Sequence, residues 1–302
     1  MLAVFLEVVL PVALVAVAGG IVGRWRSITV APLSALAFYL FGPMLVFDAM
    51  ASTEVPADTS AKIIGVMVVT FVAMYAFSLV WSTVVSHEPS MRAGFALAAT
   101  SPNVGNMGLP VALLAFGEQG LQIAVMNFVA GALLVNSAGI AIASLAGGSH
   151  GRAWVAPFRY PALYAALAGV AVNVLNIDLP PTIASPTSSL AAAAVPVMLV
   201  VLGLQLQTAG GRDHMLDTAV VNVARLAIAP VVAWYAATAL GLTGDVRGTL
   251  VVLAAMPTAV IVTILATEFR AQPAFVTRVV VTSTLAAMLS LTLVITIVQG
   301  LG

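Results

Sequence analysis

The stretch SPNVGNMGLP, residues 101–110, places two prolines, two glycines and two asparagines between long apolar runs. Proline removes a backbone donor and clashes with the preceding turn, while glycine permits the turn geometry that other residues resist. Lipid offers no hydrogen bonds, so unwound backbone at mid-membrane depth survives only where protein or a water-filled cavity satisfies it. The stretch therefore reads as an interruption at the centre of a membrane helix. A second segment, AAMPTAV at residues 254–260, carries Pro257 in a similar setting and reads as a second interruption.

Composition supports the membrane reading. The 302 residues are 62% hydrophobic and 7% charged, with a mean hydropathy of +1.13, whereas an ordinary soluble domain carries about 25% charge. A bilayer takes roughly 20 mainly apolar residues to cross, which leaves room for about ten spans and no sizeable soluble domain. The chain has no cysteine, which removes disulfides, thiolate metal sites and cysteine nucleophiles together. With zero net charge and singly scattered basic residues, nucleic acid is not an expected partner; the bilayer itself is. No cofactor and no metal are expected. The first apolar run has no basic leader and is followed by Arg24 and Arg26, so it reads as a retained helix.

Apolar runs between polar punctuation give spans near 3–22, 28–50, 62–85, 92–116, 121–146, 160–177, 187–207, 218–241, 247–269 and 274–299. Arg24, Arg26, Arg92, Arg152, Arg159, Arg212, Arg270 and Arg278 fall on one side of these spans, and Lys62 and Arg247 on the other. The richer side is expected to be cytoplasmic. That puts both termini outside, in the cell inner (plasma) membrane. Arg225 lies inside span eight, nearer the basic side, and no intramembrane arginine is seen to address a carboxylate.

The second half echoes the first. PVALVAVAG from Pro11 is like PALYAALAG from Pro161, PMLV at Pro43 is like PVMLV at Pro196, and Arg92 and Pro102 are spaced as Arg247 and Pro257 are. Such internal symmetry is the pattern of transporters built from repeats. Residues 1–148 would hold spans one to five and residues 149–302 spans six to ten, joined through 147–159. Five spans per half is odd, so the halves enter the membrane in opposite senses. The expected fold is an all-α polytopic membrane protein of ten helices, a 5+5 inverted repeat in which broken spans four and nine cross.

These residues resemble the auxin efflux carrier family, which includes the plant PIN proteins and bacterial transporters of the malate and malonate type. The resemblance spans nearly the whole chain. Its most specific part is Asn103, Gly105, Gly108 and Pro110 in NVGNMGLP, followed by Phe116 and Gly117; AAMPTAV with the following ATEF matches the second crossover. Weaker matches are GPMLVF around Pro43 and VPVMLVVLGLQL from Val195 to Leu206. The family is similar in fold to bile acid symporters and sodium/proton antiporters. The resemblance implies a scaffold of spans one, two, six and seven, and a transport unit of spans three to five and eight to ten. It also implies elevator-like alternating access for a small organic anion, a carboxylate or auxin-like acid, and leaves a homodimer through the scaffold as an open assembly. The chain departs from the plant members in lacking an aspartate in span three, AKIIGVMVVTFVAMYAFSLVW.

The expected solute site is Pro102, Asn103, Gly105, Asn106, Gly108 and Pro110 from the first break and Pro257 and Thr258 from the second. Asn103 leads, because an amide offers donors and an acceptor beside freed backbone groups; capping the second half-helix is its alternative role. Asn106 has similar chemistry where the family usually has an apolar residue. Thr258 could face solute or satisfy local carbonyls. Asn127, Asn136 and Ser137 could line the same cavity or bond between helices. Glu7, Asp48, Glu118, Asp178 and Glu268 fall near span ends, an interfacial position. His87, His150 and His214 fall in cytoplasmic loops and read as solvated. An enzyme is not expected, because neither a nucleophile-and-base pair nor two mid-span carboxylates are present. A passive uniporter or channel, a sodium-coupled symporter and a non-transporting receptor remain as alternatives.

Overall fold

The structure, a computed structural model, describes residues 1–146, 161–205 and 213–301. The expected joint at 147–159, together with His150, Arg152, Arg159 and Arg212, lies outside the described residues. The side chain of Asn136 does too.

Among the described residues the chain is helical throughout. Its helices are α1 Leu2–Arg26, α2 Val30–Ala51, α3 Ala57–Val84, α4 Pro89–Thr100, α5 Val104–Ser144, α6 Pro161–Val174, α7 Pro181–Gln205, α8 Met215–Ala239, α9 Gly244–Ala254, α10 Ile261–Glu268 and α11 Pro273–Leu301. Seven of these, α1, α2, α3, α5, α7, α8 and α11, are long and apolar enough to cross a membrane. The 41-residue α5 is two helical segments, because at Gly117 the backbone leaves the helix with φ 65° and ψ −158°. That region is open essentially to glycine alone. Many large apolar side chains point outward, Trp25, Tyr39, Leu167 and Leu289 among them. This suits helices whose solvent is lipid.

Five turns among the described residues are widened to the i→i+5 hydrogen-bonding pattern: Phe5–Val9, Ala37–Phe41, Val104–Gly108, Val135–Gly139 and Ala224–Ile228. Four of them end two residues before a proline, at Pro11, Pro43, Pro110 and Pro230. The cause is steric. A proline ring clashes with the carbonyl one turn back and offers no N–H to it, so the preceding turn opens and the helix continues past the obstacle.

Helix α7 packs against α1 and α2, and α2 packs against α6. The α1–α7 crossing is a backbone contact: a Cβ at Gly203 would overlap the Ala16 carbonyl, and one at Gly19 would lie 2.8 Å from the Val200 Cα. Small residues allow this approach where dispersion and close packing must hold helices together. The remaining helices pack mainly on one another, α3 on α4 and α8, α8 on α9, and α11 on α4, α8, α9 and α10.

His87 departs from its expected solvated position. Its side chain is 9% exposed and its Nε2 lies 3.1 Å from Asp217 Oδ1, which also accepts a 2.9 Å hydrogen bond from the Trp81 indole N–H. The ring lies 5.7 Å from that of Phe95. A loop residue is buried here because α3, α4 and α8 close around it. His214 stays half-open and lies 3.6 Å from the same carboxylate.

Candidate functional site

Helix α4 stops at Thr100 and helix α9 at Ala254, each short of a full span. The released segments meet. The Asn103 N–H donates to the Pro257 carbonyl at 2.7 Å, and the Ala259 N–H donates to the Ser101 carbonyl at 2.8 Å. This short antiparallel pairing centres on Pro102 and Thr258. It gives partners to backbone groups that both breaks would otherwise strand in a lipid-depth interior.

Thr258 is fully buried. Its hydroxyl donates to the Ala98 carbonyl at 2.9 Å and its N–H donates to Ser283 Oγ at 3.1 Å. It thus ties the second break to α4 and α11. Of the two roles open to it, satisfying local carbonyls is the one its bonds display.

Arg225 supplies what the sequence reading missed. It sits in the widened turn of α8 before Pro230 and is 1% exposed. Its Nη1 donates to the Ala99 carbonyl at 3.3 Å, and its Nη2 donates to the Ala254 and Met256 carbonyls at 2.8 and 3.1 Å. A guanidinium thus joins the C-terminal ends of α4 and α9, where unpaired carbonyls carry partial negative charge. The available signal was a lone arginine in an apolar run, which by default marks function.

Beside this junction is a cavity of about 300 Å³. All four half-helix ends border it: Thr100 of α4, Val104 to Asn106 of α5, Ala254 of α9, and Val260 and Ile261 at the start of α10. Phe38, Phe71 and Phe128 give it apolar walls, and Arg225 is the one ionisable side chain among its described lining residues. Gly105 makes room for Phe128, since a Cβ there would lie 2.9 Å from the ring.

Of the expected site residues, Pro102, Asn103, Gly105, Asn106 and Asn127 line the cavity. Gly108, Pro110, Pro257 and Thr258 are buried in the elements that shape it, apart from its described lining. Asn103 is 4% exposed and its side chain makes no capping hydrogen bond. Its amide nitrogen has no partner. Asn106 Nδ2 donates to Gln205 Oε1 at 3.3 Å, which brings the end of α7 to the site. Ser137 is elsewhere: it is exposed and its hydroxyl donates to Leu133 and Leu134 carbonyls of its own helix. The segments around Pro43 and from Val195 also reach the cavity, through Gly42, Pro43, Met198, Val201 and Gln205.

A multi-pass helical membrane protein with a largely apolar pocket where two helices break is the class that this architecture defines. The family described as membrane transport protein matches residues 4–295. The chain therefore belongs to that transport family, in agreement with the resemblance carried by Asn103, Gly105, Gly108 and Pro110. A relative described as an uncharacterized transporter, from Methanothermobacter thermautotrophicus, is 28% identical over 253 residues, covering 83% of each chain.

Proposed function

We propose that this transporter carries a small organic anion, a carboxylate or auxin-like acid, across the cell inner membrane by elevator-type alternating access. The solute would sit in the cavity between α4–α5 and α9–α10. The observation that carries this reading is the buried, unpartnered amide nitrogen of Asn103 on the wall of that cavity. A donor left without a partner costs about 1–3 kcal/mol, which a bound acceptor would offset.

Counting α4 with the first part of α5, the rest of α5, and α9 with α10 as one span each supports ten crossings. Two contacts support an inverted repeat. Gly19 of α1 lies against Val200 of α7, and Gly169 of α6 lies against Phe47 of α2. Gly169 is the repeat equivalent of Gly19, and Val200 that of Phe47, so the two contacts exchange under the proposed symmetry. The packing of α7 on α1 and α2, and of α2 on α6, supports the scaffold of spans one, two, six and seven, against which the other spans would move.

The test is Asn103→Ala in purified, reconstituted protein. Solute flux and solute-induced thermal stabilisation are expected to fall at least about tenfold while the protein stays monodisperse. Flux equal to wild type would remove the site from the cavity. Accumulation of solute against its own gradient under an imposed ion gradient separates secondary transport from a uniporter or channel.

A further inference from the structure

We infer that Arg225 is the charge-selecting residue of the cavity and sets it to accept one negative charge. This rests on the reading of the cavity as the solute site. A half-helix ends with about half a positive charge at its N-terminus and half a negative one at its C-terminus. Two N-terminal ends, at Val104 and Ile261, and two C-terminal ends, at Thr100 and Ala254, border the cavity. Their partial charges cancel. The guanidinium of Arg225 then adds one unit that no described lining carboxylate balances, because no Asp or Glu is in the lining.

Arg225 hydrogen-bonds the carbonyls at the two C-terminal ends, so it neutralises the half of the junction that would repel an anion. The two N-terminal ends are left to attract one. Two buried donors of lining residues remain without partners, Arg225 Nε and Asn103 Nδ2. Among the described residues Arg278, in α11, is the other buried arginine, but it is not among the described lining residues. A neutral solute would leave the unit charge without a counter-charge, and a dianion would overshoot it. The apolar walls at Phe38, Phe71 and Phe128 suit the body of a monocarboxylate, and the polar lining groups such as Asn106 and Asn127 are neutral, so no second cation is present among the described lining residues to balance a second carboxylate.

The experiment measures binding to detergent-purified protein of phenylacetate, indole-3-acetate and isobutyrate, each beside its primary amide, with malonate as the dianion. In wild type the bound monocarboxylates are expected to outbind their amides and malonate by at least about tenfold. Arg225→Gln is expected to abolish that preference, and Arg225→Lys to retain most of it. A merely structural arginine would weaken acid and amide together, leaving their ratio unchanged. If Arg225→Gln does not fold, wild type and Arg225→Lys decide: equal binding of acid and amide by either overturns the inference, as does wild type that binds none of the acids. The solute site fails separately, when Asn103→Ala leaves binding of the same probe untouched.

Discussion

Thr258 and Asn103 are neighbours across the paired breaks, yet their polar atoms do opposite things. Thr258 spends its hydroxyl on the Ala98 carbonyl, while Asn103 keeps an amide nitrogen unpartnered. Thr258→Val should therefore lower stability by about 1–3 kcal/mol, because it leaves a buried carbonyl unsatisfied. The measurement is the midpoint of thermal unfolding without solute. Asn103→Ala should leave that midpoint close to wild type and act on solute binding. Asn103 was legible in the sequence as a polar residue among helix breakers. Arg225 was visible but not interpretable, since its acceptor Ala99 lies 126 positions away. Ser137 stayed open between two roles because a hydroxyl in an apolar run looks alike whether it faces a cavity or makes hydrogen bonds.

At the scale of elements, the prolines do not all act alike: Pro186 and Pro196 lie inside α7 without a widened turn. Pro11, Pro43, Pro110 and Pro230 follow a widened turn that lets the helix continue, whereas Pro102 and Pro257 lie in segments that have left the helix altogether. Residue type does not separate them; the asparagines and glycines around Pro102 gave the stronger hint. Close crossings make the other element-level prediction. Gly203→Val in α7 must push backbone from backbone at Ala16 and Gly20, so it should destabilise by about 1–3 kcal/mol or more. Thermal unfolding of the purified variant measures it, and an unchanged midpoint would mean that α1 and α7 do not cross there. The burial of His87 was hidden for a related reason. A short loop reads as solvated until the elements that close over it are known, here Trp81 of α3 and Asp217 of α8.

For the molecule as a whole, the arginine distribution predicts which end faces the cytoplasm. Cysteines introduced at Glu54 and Arg26, both exposed, should react with a membrane-impermeant thiol reagent from opposite sides in intact cells and inverted vesicles. Labelling from one side would overturn the proposed orientation. No native cysteine competes, because the chain has none. The spans were readable as apolar runs because crossing lipid imposes a minimum length on each. What the runs did not show is that α5 follows straight on from the first break and turns a corner at Gly117.

By itself the sequence determined that this is a multi-pass membrane protein, where its helices break and which family it resembles. Those properties are local: hydropathy, proline and glycine act on the residues next to them. Only the tertiary structure decided that the two breaks pair, that Thr258 faces inward to α4, and that Arg225 bridges the ends of α4 and α9. Each of these depends on which carbonyls and helix ends are brought together from distant parts of the chain. In an interior shielded by lipid-facing helices, the partner a polar group finds sets what it does.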